Sequence, residues 1–314
     1  MKWTYASQRK EYGRALVEIG QSRSDVVVLD ADLSSSTRTS DFAKKFPERF
    51  FNCGIAEQDM MGTAAGLAAS GKMVFASSFA VFATGRCWDQ IRQSICYPNF
   101  NVKIVASHAG ITVGGDGASH QTAEDIALMR TLPNMTVIVP ADALETYKAV
   151  KAVLDRPGPC YIRLGRVDFP VINSPDSPFR IGIANVMQEG DDVSLIGCGQ
   201  MVALCLDAAE ELQKRGVSAQ VINMSTIKPL DEITLHNAIK RTGCIVTAEE
   251  HNVLTGLGSA VGLYAAEHGD CIIRRVGIPD VFGESGESEE LMVKYGLTSA
   301  RIVETAEEAI RRRQ

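Results

Sequence analysis

Residues 102–121 read VKIVASHAGITVGGDGASHQ. The first six form a short apolar, β-branched run ending at a serine, and the remainder is a long segment rich in glycine and titratable side chains. A run of this kind is the pattern of a buried strand, and the segment after it is the pattern of a connection at the strand's carboxyl end. The same reading extends in both directions. VVVLD (26–30), KMVFAS (72–77), MTVIVP (135–140) and CYIRL (160–164) are similar runs, separated by amphipathic or alanine-rich stretches of helix length. That alternation predicts a parallel sheet with helices on both faces.

The segment VDFPVINSPDSPFRIG (167–182) holds three of the 11 prolines and marks a domain boundary. Beyond it the pattern restarts: the strand DVSLIGCG, the helix MVALCLDAAEELQKRG, the strand SAQVINM, the helix LDEITLHNAIKR, the strand GCIVTAEE, then further helices and a short strand around IIRRVGI. The expectation is an α/β protein of two domains, 1–172 and 183–314, each a mostly parallel sheet flanked by helices. A chain of 314 residues suits two domains of ~100–200 residues each.

Composition narrows the functional classes. With 45% hydrophobic and 22% charged residues the chain reads as an ordinary soluble globular protein. A formal net charge of -6, with RRRQ at the C-terminus the one basic run and read as a solvated helix end, argues against a nucleic-acid or anionic-membrane surface. The N-terminal stretch carries dispersed charges and no uninterrupted apolar core, so no secretory signal is read there. The most membrane-like stretch, 60–84, is too rich in small residues to span a bilayer. Eight cysteines without a C-x-x-C pair or a neighbouring histidine cluster read as free thiols in a reducing cytoplasm.

Ligands of such sheets collect beyond the carboxyl ends of the strands. The loop after VKIVAS carries His108, Asp116 and His120, more titratable groups than a connector needs, although a long structural loop would also fit. Glu57 opens a second feature, FNCGIAEQDMMGTAAGLAASG (51–71), a helix with one face of small residues from Asp59 onward. Its glutamate is either a first-turn acid facing the positive end of the helix dipole or a functional carboxylate. Phe79 and Phe82, three apart, share a face in a helical turn and either line a pocket for a flat ring or belong to the core. Arg9, Ser36 and Arg166 are each able to meet a phosphate, and each alone also reads as a surface residue.

Together ASQRK, ADLSSS, FNCGIAEQDM, SSFAVF, GGDGASHQ, LPNMTVIVPAD and YIRLGR resemble the C-terminal part of transketolase, through nearly the whole chain. The resemblance implies a thiamin diphosphate pyrimidine-binding domain followed by the family's C-terminal domain. Glu57 then corresponds to the glutamate that hydrogen-bonds N1′ of the aminopyrimidine and favours the tautomer that deprotonates the thiazolium. Phe79 and Phe82 correspond to the aromatics packed on that ring, and Asp32 and Leu33 to residues near the thiazolium. His108, Asp116 and His120 correspond to groups that hold sugar hydroxyls and assist proton transfer, and Arg9, Ser36 and Arg166 to those that bind the sugar phosphate.

Two departures stand out. Gly85 occupies the position of a frequent family tyrosine. The family's diphosphate-binding domain, with its Mg²⁺-ligating G-D-G and asparagine, has no counterpart, because Gly115–Gly117 belongs to the substrate loop and Asn134 lies too close to it. The resemblance therefore implies a cytoplasmic split transketolase in which a larger N-terminal chain supplies the diphosphate and Mg²⁺ site, with two copies of each chain. Ketol transfer between pentose phosphates is the default reaction. The rival readings are a deoxyxylulose phosphate synthase-like or specialised sugar enzyme, a 2-oxo-acid dehydrogenase β chain, and a non-catalytic regulatory subunit.

Overall fold

The computed structural model of the chain describes residues 3–313. In chain order the strands of the first half are Tyr5–Ala6 (β1), Val26–Asp30 (β2), Phe50–Asn52 (β3), Met73–Ser77 (β4), Val102–Ala106 (β5), Thr136–Ile138 (β6), Cys160–Arg163 (β7) and Phe169–Pro170 (β8). The second half adds Asn185–Gln188 (β9), Val193–Gly197 (β10), Ala219–Asn223 (β11), Thr226–Lys228 (β12), Cys244–Asn252 (β13) and Ile272–Ile278 (β14).

Two larger sheets result, in the order β12, β6, β7, β5, β4, β2, β3 and the order β14, β13, β10, β11, β9. Within these two sheets every pairing is parallel except β12 with β6 and β11 with β9, and β1 pairs antiparallel with β8 in a separate two-stranded sheet. The α/β class with two mostly parallel, helix-flanked sheets is therefore the one the alternation predicts. Strands β2, β4, β5 and β7 are buried along their whole length, which is why their sequences are apolar runs and not alternating patterns.

Three helices start at a side-chain cap. Ser7 accepts from the Lys10 amide at the head of Gln8–Ser22, Asp142 from Glu145 at Ala143–Ala152, and Asp231 from Thr234 at Glu232–Thr242. Each such cap contributes about 1 kcal/mol.

Strand β12 leaves the second half of the chain and closes the edge of the first sheet. Lys228 on it donates to the carbonyls of Arg130 and Leu132, at 2.9 and 2.6 Å. One apolar cluster runs from Val27, Leu29 and Ala76 through Val137 and Val139 to Ile196, Ile222 and Met224, so the two sheets share a continuous core. All eight cysteines are free thiols, six of them buried. Among the described residues no helix is long and apolar enough to cross a membrane.

Candidate active site

The carboxyl ends of β2, β4, β5 and β7 deliver four segments to one side of the first sheet. After β2 the buried Asp30 accepts from the Leu33 amide (2.6 Å) and from the hydroxyls of Thr37 (2.6 Å) and Thr39 (2.9 Å). This fixes the turn that carries Asp32, Leu33 and Ser36. Asp32 holds a left-handed backbone, φ 63°, and its amide and carboxylate bond the side chain of Asn52.

Glu57 is the first residue of the helix Glu57–Ala69, whose start falls two residues earlier than the small-residue pattern suggests. Two acids stand in this first turn. Asp59 is exposed, whereas Glu57 is 2% exposed. A helix dipole gives no reason to bury a carboxylate, so the dipole reading suits Asp59 and leaves the burial of Glu57 to be explained by something else. The Glu57 carboxylate accepts a 2.7 Å bond from Arg86 Nη1.

Arg86 closes a π-helical turn, Val81–Arg86, of a kind that recurs at functional sites. Phe79, at its approach, and Phe82, on it, lie near parallel, 14° between planes and 6.1 Å between centroids. His108 stacks on Phe79 at 3.7 Å, His120 meets Phe82 edge-on at 5.2 Å, and the Arg86 guanidinium lies over the Phe82 ring at 4.7 Å. Contacts thus run from the two histidines of the β5 loop through both phenylalanines to Arg86, and through Arg86 to Glu57.

Burial pushes the His108 imidazole down to about 3, and the nearby charges of Arg9, Arg166 and His120 act in the same direction. Its Nδ1 pairs with the Ser107 hydroxyl at 2.9 Å. At neutral pH His108 is therefore an uncharged donor or acceptor. The unfolded chain takes up this proton near pH 6.5 and the folded chain does not. Stability accordingly falls as the pH drops from about 6.5 toward about 3, by up to ~1.4 kcal/mol per unit from this group. Long-range ¹H–¹⁵N spectra are expected to show His108 neutral at pH 5; a midpoint between 6 and 7 would refute its burial against Phe79.

Arg9 and Arg166 form a second cluster beside these histidines. Arg9 donates to the carbonyls of Ser36 (2.9 Å) and Arg166 (2.7 Å), and Arg166 donates to the carbonyl of Val113 on the β5 loop (2.5 Å). The Arg9 Nε is buried without a partner. Two guanidinium groups held together, one with an unused buried donor, make a fitting anchor for an anion. The structure thus unites His108, His120, Phe79, Phe82 and Glu57 in one group and Arg9, Ser36 and Arg166 in the next. Asp116 stands apart, exposed on the turn Gly114–Asp116.

Sequence reasoning misses Arg86 and also the groups that brace the loop from the second half of the chain. Glu250, at the end of β13, accepts from the amide and hydroxyl of Thr112 and from Gln200. A side chain at Gly110, φ 81°, would strike the Glu250 carboxylate at 2.1 Å. Gln121 donates to the carbonyls of Ile111 and Glu284, and Ser288 donates to that of Thr112. For Glu250 the signal is the charged run AEEH inside an otherwise apolar strand.

Residues 5–171 match the family described as transketolase, pyrimidine binding domain, and residues 182–302 match transketolase, C-terminal domain. The chain is 48% identical over 311 residues to a transketolase C-terminal section of Methanocaldococcus jannaschii, covering 98% of each. It is 41% identical over 305 residues to a 6-deoxy-6-sulfo-D-fructose transketolase subunit of a Clostridium strain, covering 97% of this chain and 95% of that one. A solved structure described as a split gene transketolase, inactive β4 tetramer, superposes with a TM-score of 0.91 at 52% identity, over 97% of this chain and 98% of that one. The chain belongs to the transketolase family, with that family's pyrimidine binding and C-terminal domains side by side in it. Membership carries thiamin diphosphate binding and chemistry of the transferase type.

The residues present fit the pyrimidine half of that cofactor: a buried carboxylate, a pair of near-parallel aromatic rings, and a glycine at 85 where an added Cβ would meet nothing within 4 Å. Among the described residues no group of three or more His, Cys, Asp or Glu side chains is arranged to hold a metal ion.

Proposed function

We propose that this chain is the C-terminal subunit of a split transketolase that moves a two-carbon ketol unit between phosphorylated sugars, as in pentose phosphate metabolism. The observation that carries the proposal is the burial of Glu57 within one continuous group with Phe79, Phe82, His108 and His120, next to the Arg9 and Arg166 pair. We place the pyrimidine-binding domain at 1–172 and the C-terminal domain at 183–314.

Thiamin diphosphate, when bound, supplies the electron sink that cleavage and formation of the ketol carbon bond require. Glu57 holds the aminopyrimidine by a hydrogen bond from a site shielded from water, and Phe79 and Phe82 pack on the ring. Asp32 and Leu33, on the turn fixed by Asp30, would meet the thiazolium part of the cofactor. His108, uncharged, and His120 hold the sugar hydroxyls and pass protons, with Asp116 completing the set once the loop is covered. Arg9, Ser36 and Arg166 hold the anionic end of the sugar. The Mg²⁺ ligands and the diphosphate site belong to a larger N-terminal chain, in a complex with two copies of each chain.

A specialised sugar is the second reading, favoured by the relative that acts on a sulfosugar. A guanidinium pair accepts sulfonate as well as phosphate. The test is ketol transfer from xylulose 5-phosphate to ribose 5-phosphate with thiamin diphosphate and Mg²⁺, using this chain alone and then with the larger transketolase-like chain of the same organism. Activity is expected only in the mixture. Activity of this chain alone would overturn the split assignment, and a mixture that turns over only a sulfosugar or another donor would select the second reading.

A further inference from the structure

Arg86 satisfies both of the groups that the pyrimidine ring would otherwise engage. Its guanidinium is flat, cationic and rich in N–H donors; it lies over Phe82 at 4.7 Å and bonds the Glu57 carboxylate at 2.7 Å. The two partners differ in exposure: the Glu57 side chain is 3% exposed and that of Arg86 46%. The carboxylate is thus fixed inside the protein, and the arginine reaches down to it from the solvent side on a flexible stem. Beside it Gly85 leaves open space, with nothing within 4 Å of an added Cβ.

A buried carboxylate without a partner is costly, so a chain not holding its cofactor gains by covering Glu57 from within. We propose that Arg86 is a displaceable cap on the pyrimidine subsite, closed over Glu57 and Phe82 before the cofactor binds and withdrawn beside Gly85 afterwards. The inference rests on the cofactor reading given above and adds to it a built-in competitor. The cap keeps Glu57 satisfied in the unassembled chain, and it weakens cofactor binding by the fraction of time it is closed. A site closed about nine-tenths of the time binds about tenfold more weakly than an open one.

The test is calorimetric titration of thiamin diphosphate with Mg²⁺ into the reconstituted two-chain complex, comparing wild type with Arg86→Met, which keeps the stem and removes the guanidinium. Glu57→Gln serves as the reference variant. Arg86→Met is expected to lower Kd about tenfold, the full release of a cap closed nine-tenths of the time. A Kd equal to or higher than wild type overturns the cap, because Arg86 would then be idle or would support the bound ring. The cofactor reading fails separately, if the wild-type complex does not bind or if Glu57→Gln leaves both Kd and turnover unchanged.

Discussion

Glu57→Gln in the reconstituted two-chain complex is expected to lower kcat by about 10²–10⁴-fold, the range for losing a group that handles a proton in the transition state. Glutamine keeps the size of the side chain and an oxygen that accepts from Arg86, so the buried position stays filled and satisfied. What it loses is the carboxylate that, on the proposed reading, would share a proton with the ring. KM for the sugars is expected to change little, because the anion anchor proposed at Arg9 and Arg166 lies in a different cluster. Asp59→Asn is the matching control, as Asp59 stands in the same helical turn but faces solvent. It is expected to leave kcat unchanged. Full activity of Glu57→Gln would return Glu57 to the role of a helix-start acid and favour the non-catalytic reading of the chain.

The sequence makes the strands of this fold legible because buried parallel strands are written as near-continuous apolar runs. VVVLD and CYIRL show this directly, since β2 and β7 begin on their first residues. Strand β3 is harder to see. Phe50–Asn52 is a short, partly exposed edge strand with no run to reveal it. Strand β12 is hidden for another reason: nothing local to Thr226–Lys228 says that it joins the sheet of the other half. Its position is set by long-range packing, which periodicity does not encode.

The site divides in the same way. His108, His120 and the two phenylalanines stand out by residue type on loops after predicted strands, and their contacts form one group. The choice between the two readings of Glu57 turns on burial, which a pattern of small residues does not encode. Arg86 escapes notice because an exposed arginine next to a glycine looks like any solvated residue. Its pairing with a residue 29 positions away is created by the fold. The same holds for Glu250 and Gln121, which tie the β5 loop to the second half of the chain. Motif reading finds groups that share a loop, and it misses the partners that hold the loop in place.

The deepest of these ties gives the largest expected effect on stability. Arg163→Leu is expected to cost about 3–5 kcal/mol in urea unfolding at neutral pH, the range for breaking one side of a buried ion pair. Arg163, on β7, donates to Asp125 Oδ2 at 2.7 Å and to the Glu250 carbonyl at 2.8 Å, so it joins the first sheet's helix layer to β13. Asp125 is fully buried, and its remaining bond is from the Tyr161 hydroxyl at 2.6 Å. Burial raises the Asp125 carboxyl, but the charge and hydrogen bond of Arg163, the nearby His251 and the Tyr161 hydroxyl together outweigh it, so the group stays below the usual carboxylate range. The wild-type contribution is thus present above the unfolded value near 3.9 and lost as the pH falls through the folded one. Leucine removes the offsetting charge and leaves burial to raise the carboxyl above its unfolded value. In the variant, folding then takes up a proton, and stability is lost as the pH rises. The gap between wild type and Arg163→Leu is therefore expected to widen from pH 5 to pH 8. Adding Asp125→Asn should recover part of the loss, because it removes the stranded charge while keeping an acceptor for Tyr161. A single variant that loses less than about 1 kcal/mol, as an exposed pair would, or a gap independent of pH, would show that the pair does not hold the two halves together.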